Sequence, residues 1–309
     1  MRILLGHRRD VWRERVVQNY SECLKTEFQR MGVEVISIGE NQEIQTLEQA
    51  PSQADLILEV ETGRNSDGSF NYLVPKRSSH RSVPTAVWFI DSHGHPSMHR
   101  NLAPYYDHVF FAVYSKRDLF VNCKSSNWLP NATDFHWFNR DLSDVQEPTI
   151  QFGFFGSKGG LHRAEPLKKV CEKNGYSYDI RQVSKPYRHK WPHTGEEMSK
   201  CQFLFNWGQK LDGPNQRVFE SMAVGRLLLN DRDARRRDGT EMLFEEGKHY
   251  LGYDRYTFAD LEEKMQWALN NPKEVGTIVE NAYKRVAKLH TIQHRAQEIL
   301  LKTIGWTKQ

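Results

Sequence analysis

Cysteine is scarce in this sequence. Cys23, Cys123, Cys171 and Cys201 lie far apart and form no Cys-x-x-Cys pair, which argues against a zinc site and against a disulfide framework. Long apolar runs are missing too. The longest, Ala86 to Ile90, is far too short to span a bilayer. The opening Met-Arg-Ile-Leu-Leu-Gly is too brief for the apolar core of a signal peptide, so the cytoplasm is the expected location. Nor is there a large excess of one charge. A net charge of +4 and a pI near 8.7 suit a phosphate-bearing ligand but fall short of a nucleic-acid footprint. The densest basic run, Arg235-Arg236-Arg237, is followed by Asp238 and reads as a solvated loop. Internal repeats, heptads and low-complexity tracts are likewise absent.

What is present belongs to a folded protein with a core. Hydrophobic residues make up 38% and charged residues 27% of 309 positions, a length that fits two domains. Apolar segments at Ile3–Leu5, Val33–Ile38, Leu56–Val60, Thr85–Ile90 and Val109–Ala112 read as strands. Between the first two, Trp12, Val16, Tyr20, Leu24 and Phe28 recur every fourth position, which predicts one helix ending at Gly32. The polar, acidic stretch from Asn139 to Pro148 reads as a linker. Beyond it a second series opens with the strand Gln151–Phe155, the loop Gly156-Ser157-Lys158-Gly159-Gly160 and a helix over Ala164–Lys173. Further strands are expected near Tyr178–Ile180, at Gln202–Asn206 and at Leu227–Asn230, with helices opened by Thr194 with Glu197, by Thr257 and by Pro272. Strands alternating with helices, without hairpin signals, predict an α/β protein. Its expected form is two Rossmann-like domains, over 1–142 and 149–290, whose parallel sheets face a central cleft. A C-terminal helix over 291–309 is expected to pack back on the first domain.

The most informative stretch runs from Leu211 to Gly225: Leu-Asp-Gly-Pro-Asn-Gln-Arg-Val-Phe-Glu-Ser-Met-Ala-Val-Gly. A strand ends at Asn206 and a glycine-containing loop leads into a helix, with Asn215 as the N-cap candidate. Free backbone N–H groups and the helix dipole there make a site for a diphosphate. Glu220, one turn in, can accept hydrogen bonds from ribose hydroxyls, and Gly225 ends the helix. An ordinary strand-loop-helix unit with a surface carboxylate fits the same spacing.

This segment resembles the donor-binding signature of GT-B glycosyltransferases of the large retaining GT4 family. Asp212 and Glu220 fall at its two acidic positions and Gly213 at the glycine after the first. Asp212-Gly213-Pro214-Asn215 stands where the family has Glu-Gly-Phe-Gly. The chain is more closely similar to the CgeB-like, spore-maturation group. That likeness is carried by Arg217 to Ala223, Leu228-Leu229-Asn230-Asp231, Leu243 to Lys248 and His290 to Arg295. In the first half it rests on Pro84, Trp88 to Asp91, Asp107 to Phe110 and Leu129-Pro130-Asn131-Ala132.

The resemblance implies a GT-B fold and transfer of a sugar from a UDP- or GDP-type donor to a hydroxyl acceptor, with retention and without a metal or other cofactor. It implies that Glu220 holds the ribose and that the backbone at Gly213, Pro214, Asn215 and Gln216 faces the diphosphate or the donor sugar. Asp212 then stands at the sugar. Lys158, Arg163 and Arg217 are the candidates to neutralise the leaving diphosphate, though each is also an unremarkable surface cation. Gly6, in the loop start Gly6-His7-Arg8-Arg9, falls where relatives carry a Gly-Gly pair facing the donor. Asp91 and His93 fall near the reacting sugar, to orient it or to accept the acceptor's proton. Asp91 could instead merely cap the next segment. Arg181 and Tyr187 are candidates to surround the base. The acceptor stays open: glycan, protein, lipid-linked sugar, small molecule or modified DNA.

Two strings invite other readings. Asp91-Ser92-His93-Gly94-His95 also has the Asp-x-His-x-His form of a metal-dependent amidohydrolase on a barrel, which needs further histidines at later strand ends. Asp231-Arg232-Asp233 mimics the metal motif of GT-A enzymes and reads as loop chemistry. A GT-B-fold epimerase or a binding module without turnover also fits the pattern.

Overall fold

Strands buried on both faces organise the chain. In the computed structural model, which describes residues 1–7, 11–12, 15–16, 19–61, 72–76, 78–142, 147–156, 162–182, 191–208, 213–233 and 239–306, two compact units form. The first comprises Met1–Pro130 and Ile292–Gln309, the second Asn131–Thr291.

The first unit is built on β1 (Arg2–Gly6), the short pair β2 (Val11–Trp12) and β3 (Arg15–Val16), and helix α1 (Tyr20–Arg30). Then come β4 (Glu34–Ile38), β5 (Leu56–Val60), β6 (Thr85–Phe89), α2 (Pro96–Leu102), β7 (His108–Phe111) and β8 (Ser126–Trp128). Six strands pair in the order β4-β1-β5-β6-β7-β8, every pair parallel. Every residue of β5 and β6 is buried, as internal parallel strands covered on both faces require. Phe120 stacks on both Phe89 and Phe111, which ties β6 and β7 to the turn that follows them.

The expected helix through Trp12 and Val16 begins only at Tyr20. The Asn19 side chain accepts the N–H groups of Ser21 and Glu22 at 3.0 and 3.1 Å and fixes the start there. Before it, β2 and β3 form a small antiparallel pair that the sequence did not signal.

The second unit carries β9 (Ile150–Gly156), α3 (Glu165–Asn174), β10 (Tyr178–Gln182), α4 (Trp191–Ser199), β11 (Cys201–Asn206) and α5 (Gln216–Ala223). It continues with β12 (Leu227–Arg232), α6 (Thr240–Leu243), β13 (Leu251–Asp254), α7 (Leu261–Asn270) and α8 (Pro272–Leu289). Its five strands pair in parallel in the order β10-β9-β11-β12-β13. Phe152, Phe154, Phe203, Phe205 and Tyr253 fill the core between sheet and helices. Two caps lie elsewhere than expected. Thr194 falls inside α4, whose first turn already contains Pro192. Thr257 precedes α7, whose N-cap position is Asp260.

Residues 131–142, read from sequence as the end of the first domain, pack with the second unit. The Arg140 guanidinium lies 3.8 Å above the Tyr283 ring and pairs with Glu280 at 2.5 Å, while Phe135 stacks on the same ring from α8. The last helix, α9 (Ile292–Ile304), belongs to the first unit and packs on α1. Its buried Arg295 donates from Nε to the Pro130 carbonyl at 2.7 Å. Among the described residues no helix is long and apolar enough to cross a membrane.

One close approach shapes the carboxyl end of the first sheet. Glu59 on β5 is fully buried and accepts the N–H groups of Leu73 and Val74 at 2.6 and 3.0 Å and the Tyr106 hydroxyl at 2.5 Å. Gly6 pairs beside it on β1, and a Cβ there would lie 2.7 Å from Glu59 Cγ. Gly6→Ala therefore forces Glu59 off its three donors. Urea denaturation should show a loss of about 1–3 kcal/mol, and an unchanged midpoint would mean that Glu59 yields freely.

Candidate functional site

In the strand order of the second sheet, the chain leaves β9 toward one edge and β11 toward the other. Loops diverge at the carboxyl ends of these two strands, where such topologies leave room for a ligand. The polar groups of the unit collect there. Asn206, the last residue of β11, accepts at Oδ1 from Asn215 Nδ2 at 3.0 Å and from Arg217 Nη1 at 3.1 Å. A guanidinium only donates, so the Asn206 amide is oriented, and its Nδ2 donates to Asn230 Oδ1 at 2.7 Å. Asn230 donates onward to the Asp231 carbonyl, and the Tyr253 hydroxyl donates to the Asn206 carbonyl at 2.7 Å.

Two arginines converge on this network. Arg217, in the first turn of α5, lies over the Phe154 ring with its guanidinium 4.9 Å from the centroid. Arg163, just before α3, donates to the Trp207 carbonyl at 3.1 Å. Burial pushes the Arg217 guanidinium down to about 10, with nearby Arg163 adding to the depression and Glu220 opposing it. Burial likewise lowers Arg163, and Asp231 partly offsets that. Among the described residues, neither guanidinium has a carboxylate oxygen within 4.0 Å. Half-buried cations in mutual repulsion form a site suited to an anion.

A buried ion pair holds the strand end beside them. Asp231 Oδ1 accepts the Gly208 N–H at 2.8 Å, and its Oδ2 lies 3.1 Å from Arg255 Nη1. Arg255 Nη2 closes the ring by donating to the Gly208 carbonyl at 3.2 Å. The loop reading of Asp231-Arg232-Asp233 is thus corrected. Asp231 and Arg232 continue β12, in register with Tyr253 and Asp254 of β13.

Helix α5 follows the loop. Gly213 has φ +85°, open to glycine, and buried Pro214 offers its carbonyl to Asn131 Nδ2 at 3.1 Å. Asn215 occupies the N-cap position with extended backbone, but its side chain makes no capping bond because it turns to Asn206. Gln216 begins the helix and Glu220 sits one turn further on, part-exposed. The helix closes when the Gly225 N–H donates to Met222 O and the Arg226 N–H to Ser221 O, with Gly225 at φ +67°. Arg181, a candidate to surround the base, pairs with Asp179 and, at 2.7 Å, with Glu197. Lys158 and Asp212 lie outside the described residues, as do Tyr187, His189 and Arg235 to Arg237.

In the first unit, Asp91 and His93 sit in the turn after β6, Asp91 exposed and His93 part-buried. This β6 is an internal strand of an open sheet. The barrel expected for an amidohydrolase is therefore not formed, and among the described residues no cluster of three or more ligating side chains could hold a metal. Glu59, Glu61 and Arg255 were not singled out from sequence, and Asn206 and Asn230 were read there as a strand end and a point of likeness rather than as site residues. A polar residue ending an apolar run would have been the signal, since it marks where a buried parallel strand reaches its loop edge.

The family profile described as glycosyl transferase-like matches residues 136–301, more than half of the chain. The chain belongs to this glycosyl transferase-like family. No curated protein sequence matches the glycosyltransferase. Among solved structures, it is similar to Anabaena HepE in complex with UDP and glucose, at 13% identity and a TM-score of 0.61 over 98% of this chain and 99% of that one. An α-glucosyltransferase in complex with UDP-glucose and abasic DNA matches at 12% identity and 0.63, over 97% and 98%. The sucrose-phosphate synthase of Thermosynechococcus elongatus matches at 9% and 0.61, over 96% and 97%. What is common at such identities is the fold. The glycosyltransferase has the two parallel-sheet α/β domains of the GT-B class.

The Asp231–Arg255 pair gives a test by double-mutant cycle. Asp231→Ala strands a buried guanidinium and should cost about 3 kcal/mol. Adding Arg255→Met should restore a large part of that loss in chemical denaturation. Additive losses would mean that the two side chains act separately.

Proposed function

We propose that the glycosyltransferase moves a hexosyl group from a uridine diphosphate sugar to a hydroxyl acceptor, with retention and without a metal ion. The observation that carries this reading is the Arg163–Arg217 pair at the carboxyl ends of β9 and β11, desolvated and without a carboxylate within 4.0 Å among the described residues. A departing diphosphate gains negative charge as its bond to the sugar breaks, and fixed guanidinium groups stabilise that charge more than they stabilise the intact donor. They supply what a divalent cation supplies elsewhere. The UDP and UDP-glucose in the complexes of structurally similar proteins favour uridine as the base.

The remaining roles rest on the likeness to GT4 and CgeB-like enzymes. Glu220 accepts the ribose hydroxyls, and the backbone from Gly213 to Gln216 faces the diphosphate. Lys158 adds a third cation, and Asp212 contacts the sugar. Asp91 and His93 orient the sugar or relay the acceptor's proton. In the front-face scheme the bond from the anomeric carbon to the phosphate oxygen breaks as the acceptor oxygen bonds on the same face. The acceptor's proton passes to the departing phosphate, so no enzyme carboxylate becomes glycosylated. DNA in the α-glucosyltransferase complex makes modified DNA one acceptor class to assay beside glycans. The modest net charge of +4 offers that choice little electrostatic support.

Calorimetry with UDP, GDP and uridine tests this reading. UDP should bind equally with and without EDTA, and Arg217→Gln should weaken UDP about 10–100-fold, the worth of a charged hydrogen bond, while leaving uridine unaffected. Glu220→Ala should weaken both. Absence of any nucleotide binding, or binding that EDTA abolishes, overturns the proposal. A sugar epimer in place of a transfer product would mark an isomerase.

A further inference from the structure

Glu61 follows the last residue of β5 and is buried, its side chain only 3% exposed. Its Oε2 accepts two successive backbone N–H groups, those of Ile90 and Asp91, at 2.7 and 2.8 Å. Its Oε1 lies 3.2 Å from Nε2 of His99, a fully buried residue on α2. The other imidazole nitrogen, Nδ1, lies 3.1 Å from the hydroxyl of fully buried Ser92. The imidazole also stacks on Phe89, the last residue of β6, with centroids 4.2 Å apart and planes at 19°. The turn itself closes with the Gly94 N–H on the Asp91 carbonyl at 2.8 Å.

Two buried side chains from other segments, Glu61 and His99, thus hold one turn of five residues, Ile90 to Gly94, at its entrance and through its own buried Ser92. On that turn Asp91 is exposed and His93 part-exposed. Stability alone accounts poorly for this arrangement. A buried carboxylate and imidazole cost solvation, and apolar residues of the same volume usually stabilise as well or better. What such a relay adds is geometry: it locks the backbone that carries Asp91 and His93 while leaving those side chains accessible.

We propose that Glu61, His99 and Ser92 are positioning residues for the transfer step, acting through the turn that bears Asp91 and His93. The proposal rests on the donor reading above. It assigns a purpose to the buried Glu61–His99 pair that neither the donor site nor the resemblance supplies. A displaced turn misplaces its side chains at the reacting sugar, which lowers turnover without touching the arginines that hold the diphosphate.

The test compares wild type, Glu61→Gln and Ser92→Ala, with UDP-glucose as the donor probe and UDP release as the readout. Glu61→Gln keeps the shape but removes the charge facing His99. Its kcat should fall about tenfold or more, with KM for UDP-glucose and Kd for UDP within about twofold of wild type. Amide exchange at Ile90 and Asp91 should accelerate while α5 keeps its protection. Adding Asp91→Asn to Glu61→Gln should cost much less than it costs wild type, because both act through one turn. Ser92→Ala, at the far end of the relay, guards against a Glu61 variant that fails to fold. It should lower kcat by a smaller factor, again at constant KM. Unchanged kcat in both variants, parallel changes in kcat and KM, or additive effects with Asp91→Asn overturn the inference while leaving the donor reading intact. A wild type that neither binds UDP nor releases it from UDP-glucose overturns the donor reading, and this inference with it.

Discussion

In both units every strand of the main sheet runs parallel to its neighbours. A parallel pair can be joined only by chain that crosses back over a face of the sheet, so both faces become covered and the strands must be apolar along their length. Polar side chains then have one place left, the ends. All carboxyl ends of a parallel sheet lie on the same edge, so residues distant in sequence meet there. Asn206, Asn230 and Tyr253 do so in the second unit. In the first, Gly6, Glu59 and the Glu61–Asp91 contact form along the corresponding edge. The chemistry of each unit follows from how its strands are joined.

The cations on the second edge are treated unequally. Arg255 receives a buried carboxylate, Asp231, and the pair is spent on holding the Gly208 backbone. Among the described residues, Arg163 and Arg217 receive neutral partners, a carbonyl for one and an amide oxygen with an aromatic face for the other. A carboxylate at Arg217 would lower its desolvation cost in the empty protein and would then have to be displaced by any anion that arrives. Neutral acceptors orient the guanidinium without cancelling its charge. On the proposed reading, the unfavourable burial of these arginines is tied to the binding of a diphosphate.

Much of the fold could be read from local pattern. Largely apolar segments such as Leu56–Val60 and Gln202–Asn206, each with three consecutive apolar residues, locate internal strands between polar loops. Short edge strands escaped, since Ser126–Trp128 is half polar and exposes its first residue. The helix over Trp12 and Val16 failed because a period of four cannot outweigh a strong N-cap at Asn19. Residues 131–142 were assigned to the first domain because only distant partners, Glu280 and Tyr283, decide where they pack. Site residues divide in the same way. The α5 segment carries a local signature, whereas the turn of Asn215 toward Asn206 and the hold of Asn131 on Pro214 depend on neighbours that no spacing reveals.

Two glutamates at the carboxyl end of β5 show how far environment governs such residues. Glu59 lies on the strand and Glu61 just beyond its last residue, and burial is the largest influence on both. For Glu59 burial prevails over the Tyr106 hydroxyl and the two backbone donors, and its carboxyl is raised above the usual range. For Glu61 the His99 contact and the N–H groups of Asp91 and Ile90 together outweigh burial, and its carboxyl is lowered. The difference lies in the partners: Glu61 faces the His99 imidazole, whereas Glu59 faces the Tyr106 hydroxyl, with Lys76 the smallest influence. As a wedge against Gly6 and a receiver of three hydrogen bonds, the first glutamate, Glu59, works through its shape. A charged one at the strand end is costly unless His99 and the Ile90–Asp91 amides stay in place, so its own solvation penalty enforces the geometry of the turn above it. The two carboxyls thus fix different stretches of backbone: Glu59 holds Leu73 and Val74, and Glu61 holds Ile90 and Asp91.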